Sequence, residues 1–368
     1  MSSAPIPFLD LRPADDAADI AAAIERVVAR GWFVLGPEVA AFEAEFAAAS
    51  GVHHAVGVGN GTDGLTLLLR AADIGPGDDV IVPALTAAFT ALAVLAAGAR
   101  PVFADVDPAC LTLDPDACAA AVTSRTRAIV PVHLYGQPAD LGALSRVAQR
   151  HGLAVIEDCC QAHLATGAGV PVGTRGFGGA FSFYPTKNLG ALGDGGAVVT
   201  SDDAVAARVR RLRNGGQADR YHHVEAGINS RLDELQAAVL RARLPRLPQQ
   251  TARRRALAAA YRQRLPSWLA PVPERDAGHV YHLFPVRSAR RDSLQQHLRE
   301  AGIDTLIHYP VPLPAQPAFA SQTPADCPVA AAAACDLLSL PLHPRLTDAE
   351  VARVVEAARA FQKGPVLT

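Results

Sequence analysis

The sequence predicts an α/β fold with a large, mostly parallel sheet and a second, smaller α+β lobe at the C-terminal end. Three observations carry this. Strand and helix patterns alternate from about residue 55 to residue 215. The strands are short and apolar, as in a parallel sheet covered on both faces. The chain has 368 residues, more than a single core usually serves, so two lobes are expected.

Ala55-Val56-Gly57-Val58 reads as a strand and Thr62 to Ala72 as a helix. Val80-Ile81-Val82 is a strand, followed by a helix over Ala87 to Ala97 and a strand at Pro101 to Ala104. Asp114 caps a further helix with Pro115 at its first position, where a missing N–H does no harm. Ala128 to Val132, Ala154 to Glu157, Ala180 to Phe183 and Ala197 to Thr200 are strands, and Leu141 to His151 is a helix. After a helix at Leu232 to Leu244, Pro245 and Pro248 punctuate the chain. The lobe boundary is placed there, giving 1–244 and 245–368. The second part holds a helix at Thr251 to Leu265, a strand at Leu283 to Val286 and a helix near Ser293 to Ala301. A proline-rich loop at Pro310 to Pro317 and a last helix at Asp348 to Phe361 follow.

Half the residues are hydrophobic and 19% are charged, with a net charge of −2. This gives no electrostatic case for nucleic acid or an anionic membrane. Met1 to Leu11 has neither a basic stretch nor an apolar one, and no apolar run is long enough to span a bilayer. A cytoplasmic protein is the expectation. The six cysteines form no C-x-x-C pair, so reduced thiols and no metal are expected.

Of the 34 basic residues only Lys187 and Lys363 are lysines. Arginine stays protonated, whereas a desolvated lysine can lose its proton and attack a carbonyl. Lys187 lies in the apolar, glycine-flanked run Phe181-Ser182-Phe183-Tyr184-Pro185-Thr186-Lys187-Asn188-Leu189-Gly190. Ser182 and Tyr184 share a strand face there.

Gly57-Val58-Gly59-Asn60-Gly61-Thr62-Asp63-Gly64 follows a strand and opens a helix. Such a turn brings free N–H groups to an anion, or is simply a strand-to-helix connection. Thr62 stands where a dinucleotide fingerprint needs its last glycine, which argues against a nucleotide-binding oxidoreductase. Glu157-Asp158-Cys159-Cys160-Gln161 ends a buried strand. Asp158 there suits a protonated ring nitrogen with Gln161 beside it, or serves as a strand cap. Asn229, in a polar loop, bonds a ligand or caps the next helix. A phosphate cradle, an acid for a ring nitrogen and a lysine amine are the three groups that pyridoxal phosphate (PLP) requires.

The chain resembles the sugar aminotransferases of the DegT/DnrJ/EryC1/StrS family, which have the type I aspartate-aminotransferase fold. The resemblance runs through Leu35-Gly36-Pro37, Gly59 to Asp63, Pro83-Ala84-Leu85-Thr86, Val132 to Gly136, Glu157-Asp158, Phe181 to Phe183 with Lys187, Asn229 to Leu235, and His308-Tyr309-Pro310. It implies that Lys187 links to the cofactor and shuttles protons, that Asp158 pairs with the pyridinium, and that Gln161 sits by the ring hydroxyl. Gly61, Thr62, Asp63 and Ser182 would hold the phosphate, and Asn229 would reach it from the other subunit of a homodimer. Tyr184, Arg231, His308 and Tyr309 would face the substrate. That substrate would be a nucleotide-linked ketosugar, with glutamate or glutamine as amino donor. A cyclitol aminotransferase, an aminohydroxybenzoate-forming enzyme and a PLP-binding regulator are the alternatives. A PLP-dependent sugar dehydratase is disfavoured, because such relatives carry histidine in place of Lys187. One position departs from the family: Ala87 stands where an aromatic residue usually stacks on the cofactor, with Phe89 two residues on.

Overall fold

A computed structural model describes residues 4–322 and 325–362; Lys363 lies outside them. Two helices precede the sheet, α1 (Ala17–Arg30) and α2 (Pro37–Ser50), and neither was expected from the strand–helix alternation. The start of α2 is held from far along the chain. The Glu234 carboxylate accepts the N–H groups of Gly36, Glu38 and Val39 at 2.9, 2.9 and 2.8 Å.

The alternating region then runs β1 (His54–Val58), α3 (Gly61–Ala71), β2 (Asp79–Pro83), α4 (Phe89–Ala96), β3 (Arg100–Ala104), α5 (Pro115–Ala120), β4 (Thr126–Ile129), α6 (Leu141–His151), β5 (Ala154–Asp158), β6 (Gly178–Ser182) and β7 (Gly196–Thr200). These strands form one seven-stranded sheet in the order β1-β7-β6-β5-β4-β2-β3. Only β7 runs against the others, pairing antiparallel with both β1 and β6. The cause is the connection: no helix lies between β6 and β7, and a parallel neighbour needs a crossover. Asp114 caps α5 as expected, its carboxylate accepting the Ala117 N–H at 2.7 Å. The helix expected from Ala87 begins at Phe89, and the strand expected at 128–132 occupies Thr126–Ile129.

Helix α3 lies across one face of the sheet, with Leu65, Leu67, Leu68 and Leu69 buried against Val56, Val80, Ile156 and Val198. On the other face α5 and α6 cover Ile81, Ile129 and Val155, and aromatic rings cover the part near β6. Phe42 and Phe46 of α2 meet Phe183 edge-on at 5.2 and 5.3 Å, and Phe46 meets Phe181 at 5.1 Å. Edge-to-face contact at this spacing is the favoured geometry for aromatic pairs. The segment around Lys187 is therefore mounted on a rigid strand.

Helices α7 (Asp203–Leu212) and α8 (Glu234–Arg243) complete this part of the chain. Helix α9 (Leu247–Arg264) begins before the expected Thr251, because Pro248 falls in its first turn, where proline is tolerated. A three-stranded antiparallel sheet follows, β8 (Ala270–Pro271), β9 (Phe284–Arg287) and β10 (Leu337–Leu340), with β9 central. It packs with α9, α10 (Arg291–Glu300) and α12 (Asp348–Gln362) around Leu257, Tyr261, Val286, Leu298 and Val354. Helix α11 (Pro328–Asp336) leads into β10. The N-terminus joins this cluster: Ile6 is fully buried, and its backbone bonds Gly302 and Asp304 at 2.8 and 3.0 Å. Among the described residues no helix is long and apolar enough to cross a membrane.

Candidate active site

Gly61, Asp158 and Ser182, three of the predicted residues, come together where strands β1, β5 and β6 end. Gly61 opens α3, with Asn60 capping the helix by accepting the Asp63 N–H at 2.9 Å. Asp63 is pinned in turn by the Asn60 amide at 3.1 Å and the Ser230 hydroxyl at 2.6 Å. A Cβ at Gly61 would lie 2.5 Å from Cys160 Sγ and 3.0 Å from Ser182 Cβ. Only glycine lets the helix start sit this close to the ends of β5 and β6. With the Asp63 N–H taken by the cap, the Gly61 and Thr62 N–H groups are left at the open end of α3 without an intrahelical acceptor.

Asp158, buried, holds its carboxylate with two donors: Thr90 Oγ1 at 2.8 Å to one oxygen and the Cys160 N–H at 3.1 Å to the other. Each oxygen keeps a lone pair free for a ring N–H. Sequence reasoning missed Thr90. Its hydroxyl sits in the first turn of α4, and no local pattern announces a partner 68 residues away.

Lys187 is partly buried, in the turn where its own N–H donates to Tyr184 O at 2.8 Å. Desolvation lowers its pKa, against the opposing effect of Cys160 and Asp158. Three histidines feel its charge. Burial, and then Lys187, holds His163 down at about 3 and His308 at about 4, and pushes His282 well below its usual value. Neutral rings around a lysine add no repulsion and keep water out.

Gln161 is oriented at both ends. Its carbonyl accepts the Tyr135 N–H at 2.6 Å and its amide donates to the Tyr309 hydroxyl at 3.0 Å. Burial pushes the Tyr309 phenol up to about 12, so it remains a neutral donor. His308 is fixed by Ser339 Oγ at 3.0 Å. Gln161, His308 and Tyr309 thus join Lys187 and Asp158 in one cluster.

Other expected residues stand apart within the protomer. Tyr184 does not share a strand face with Ser182. The strand ends at Ser182 and the chain turns, leaving the Tyr184 side chain 51% exposed. Arg231 bonds Asn214 Oδ1 at 3.1 Å, and Asn229 is exposed with no side-chain bond among the described residues. Phe89 is 64% exposed at the start of α4.

Among the described residues one group has metal-ligand chemistry: His133, Glu157 and Cys159 hold their ligand atoms within 4.8 Å of one another. Its valences are used. His133 Nδ1 accepts the Ala139 N–H at 3.0 Å, so Nε2 carries the proton and donates to Glu157 at 2.9 Å. Glu157 also accepts from the N–H groups of Gly173 and Arg175 at 2.7 and 2.9 Å. The cluster braces the strand that presents Asp158.

Comparison with known proteins gives the family. The model of the DegT/DnrJ/EryC1/StrS aminotransferase family matches residues 14–359. The chain belongs to this family. It is 50% identical to a dTDP-3-amino-3,4,6-trideoxy-alpha-D-glucose transaminase of Streptomyces venezuelae, over 97% of this chain and 96% of that one. It is 46% identical to a UDP-N-acetyl-3-dehydro-alpha-D-glucosamine 3-aminotransferase of Acidithiobacillus ferrooxidans, over 98% of each. Among solved structures, S. venezuelae DesV in complex with a ketimine intermediate matches with a TM-score of 0.95 at 48% identity, over 99% of this chain and 100% of that one.

DegT/DnrJ/EryC1/StrS aminotransferases depend on PLP, and the residues present fit that cofactor. The glycine-tight junction at Gly61 offers helix N–H groups to a phosphate, the Asp158 carboxylate retains free lone pairs, and Lys187 is the one lysine among the described residues.

Proposed function

We propose that this family member is a homodimeric PLP-dependent aminotransferase that moves an amino group from glutamate or glutamine to the keto carbon of a nucleotide-linked sugar. The observation that carries the reading is the desolvated Lys187 beside a buried, doubly hydrogen-bonded Asp158. When bound, PLP supplies an aldehyde for the amines and a ring that accepts electron density from the reacting carbon. Lys187 Nζ, with its proton affinity lowered, would take a proton from the donor carbon and return one to the acceptor carbon. Asp158 would keep the ring nitrogen protonated through a charge-assisted hydrogen bond. The Thr62 amide at the start of α3 and Ser182 Oγ would hold the phosphate, and the Asp63 amide would join them on releasing Asn60 Oδ1. Gln161 and Tyr309 would fix the ring hydroxyl and exclude water.

Residues 1–244 would form the cofactor lobe and 245–368 the smaller one, with the N-terminal segment at Ile6 packed into the smaller lobe's core. A dimer accounts for Asn229 and for the adjacent exposed side chains of Trp32 and Phe33, 55% and 48% exposed. Exposed apolar patches mark protein interfaces. A sugar nucleotide is preferred to a cyclitol because the two relatives named above take dTDP- and UDP-linked sugars by their names. The test is incubation of the PLP-loaded protein with dTDP- and UDP-linked ketohexoses, a cyclitol ketone, and glutamate or glutamine. Mass spectrometry would then look for the amino product. Amination of the cyclitol alone would overturn the substrate assignment.

A further inference from the structure

Beside the Lys187 segment lies a cleft of about 450 Å³, walled by residues 9–16, by Pro185 to Asn188, by α9 and by His343 to Arg345. None of the residues assigned above to the phosphate or the ring lines it; Lys187 does. Its lining carries seven basic side chains, six arginines and Lys187, against three aspartates. Most of those charges are answered locally. Asp10 pairs with Arg12 and Arg345, Asp16 with Arg243, and Asp15 with Arg246.

Among the arginines Arg254 is the exception. It is 4% exposed, and its guanidinium meets only two carbonyls, Tyr281 O at 3.1 Å and Leu342 O at 2.9 Å, both through Nη1. Its Nε has no partner, and no carboxylate answers its charge among the described residues. Next to it His343, 6% exposed, has both ring nitrogens without a partner. A buried cation without a counter-charge and a buried imidazole without a bond are each unfavourable alone. Their coincidence in one cleft is what an anion site looks like before its anion arrives. Burial lowers the Arg254 pKa only to about 10, so the charge persists at neutral pH.

We propose that Arg254 and His343 form the subsite for the α-carboxylate of the amino donor. The inference rests on the aminotransferase reading above and names the donor side of that same site. The choice of carboxylate over the sugar's diphosphate follows from connectivity. In an α-amino acid the carboxylate is attached to the carbon that bears the nitrogen, so it must lie next to Lys187. In a nucleotide-linked ketosugar a ring separates the diphosphate from a 3- or 4-keto carbon. Arg254 and Lys187 line the same cleft and both act on His163 and His282. A planar guanidinium with an adjacent N–H donor matches a carboxylate's two oxygens.

The test uses the PLP-loaded protein, with glutarate and dTDP as probes in separate calorimetric titrations and with donor and sugar kinetics run in parallel. His343→Phe breaks no hydrogen bond in the free protein, and a purely structural role would show as a lowered Tm with both KM values moving together. The subsite predicts a KM for glutamate raised roughly tenfold or more, with the KM for the sugar unchanged and glutarate affinity lowered in parallel. Arg254→Gln should show the same pattern more strongly, and its thermal unfolding reports whether it still folds. Equal glutarate affinity in wild type and His343→Phe would overturn the proposal. So would loss of dTDP binding in place of glutarate binding, which would give the cleft to the sugar's phosphates. If glutarate binds as predicted while no ketosugar is aminated, the donor subsite stands and the sugar assignment falls.

Discussion

Replacing Gly61 by alanine tests the proposed phosphate cradle at its narrowest point. The added methyl would sit 2.5 Å from Cys160 Sγ, 3.0 Å from Ser182 Cβ and 3.4 Å from Ser182 Cα. The first distance is not tolerated, and the second is marginal. Alanine at a helix start gains about 0.4–1 kcal/mol from reduced freedom of the unfolded chain. Overpacking costs about 1–3 kcal/mol, so at mid-range the clash wins by about 1.3 kcal/mol. With an unfolding entropy of about 2.1 cal/mol/K per residue over this length, Tm falls by only roughly 1–3 °C. The larger effect should fall on the cofactor, because relief of the clash pushes the start of α3 away from the phosphate it would bind. Loss of one charge-assisted bond corresponds to PLP affinity lower by roughly tenfold, read by fluorescence titration of the apoprotein. Cys160→Ala removes the closest atom and leaves the marginal one. It should be near wild type alone and restore part of the affinity in the Gly61→Ala background. Unchanged PLP affinity in Gly61→Ala, or no rescue by Cys160→Ala, would refute the reasoning.

Lys187→Ala should abolish turnover and the borohydride-reducible link to the cofactor. With Lys363 the sole other lysine, peptide mass mapping checks this directly, and an adduct on Lys363 would sink the assignment. Asp158→Asn should fold and bind PLP but lose kcat by roughly a hundredfold or more, the scale of removing an electrostatic group aimed at developing charge; stopped-flow kinetics measures it. Lys187→Ala mixed with Asn229→Ala should regain activity through heterodimers, and an active monomer by light scattering would end that idea. His163, His279 and His308 are held neutral at about 3, 3 and 4, chiefly by burial. Their depressed pKa values make the unfolded chain bind more protons in acid, so this stability is complete above about pH 6.5 and lost as pH falls towards 4. At pH 5.5 the loss is about 1.4 kcal/mol per histidine, and denaturant midpoints measured across that window should show it.

The chemistry legible in the sequence was the part fixed by residue type and local order. A single internal lysine, an acid ending an apolar strand and a glycine turn opening a helix are short-range statements, and the fold assembles them. Strand direction was not legible. The run Ala197 to Thr200 suits a buried strand equally well in either direction, and only the helix-free connection after β6 reverses it. Helices α1 and α2 escaped because they lie before the strand–helix alternation and owe their seating to distant partners, such as Glu234 on the Gly36 turn. Thr90, Arg254 and His343 escaped for the same reason. Arginine is common in α9, and nothing local distinguishes the one that is buried from Arg253 or Arg255, which reach Leu346 O and His279 O. Phe89 shows the converse, since its aromatic character invited a stacking role that its exposure within the protomer does not support.

The pairing of Ile6 with Ile303 has a consequence for how the protein is made. The groups that bond the Ile6 backbone, on Gly302 and Asp304, are made about 300 residues after it. At about 5–20 residues per second the nascent N-terminus waits roughly 15–60 s for its partners. During that interval the cofactor-facing sheet has all its strands, while the segment that leads into the arginine-lined cleft is still untethered. Translation therefore delivers a sheet first and a finished cleft last, and any fusion placed ahead of Ile6 is carried through that wait.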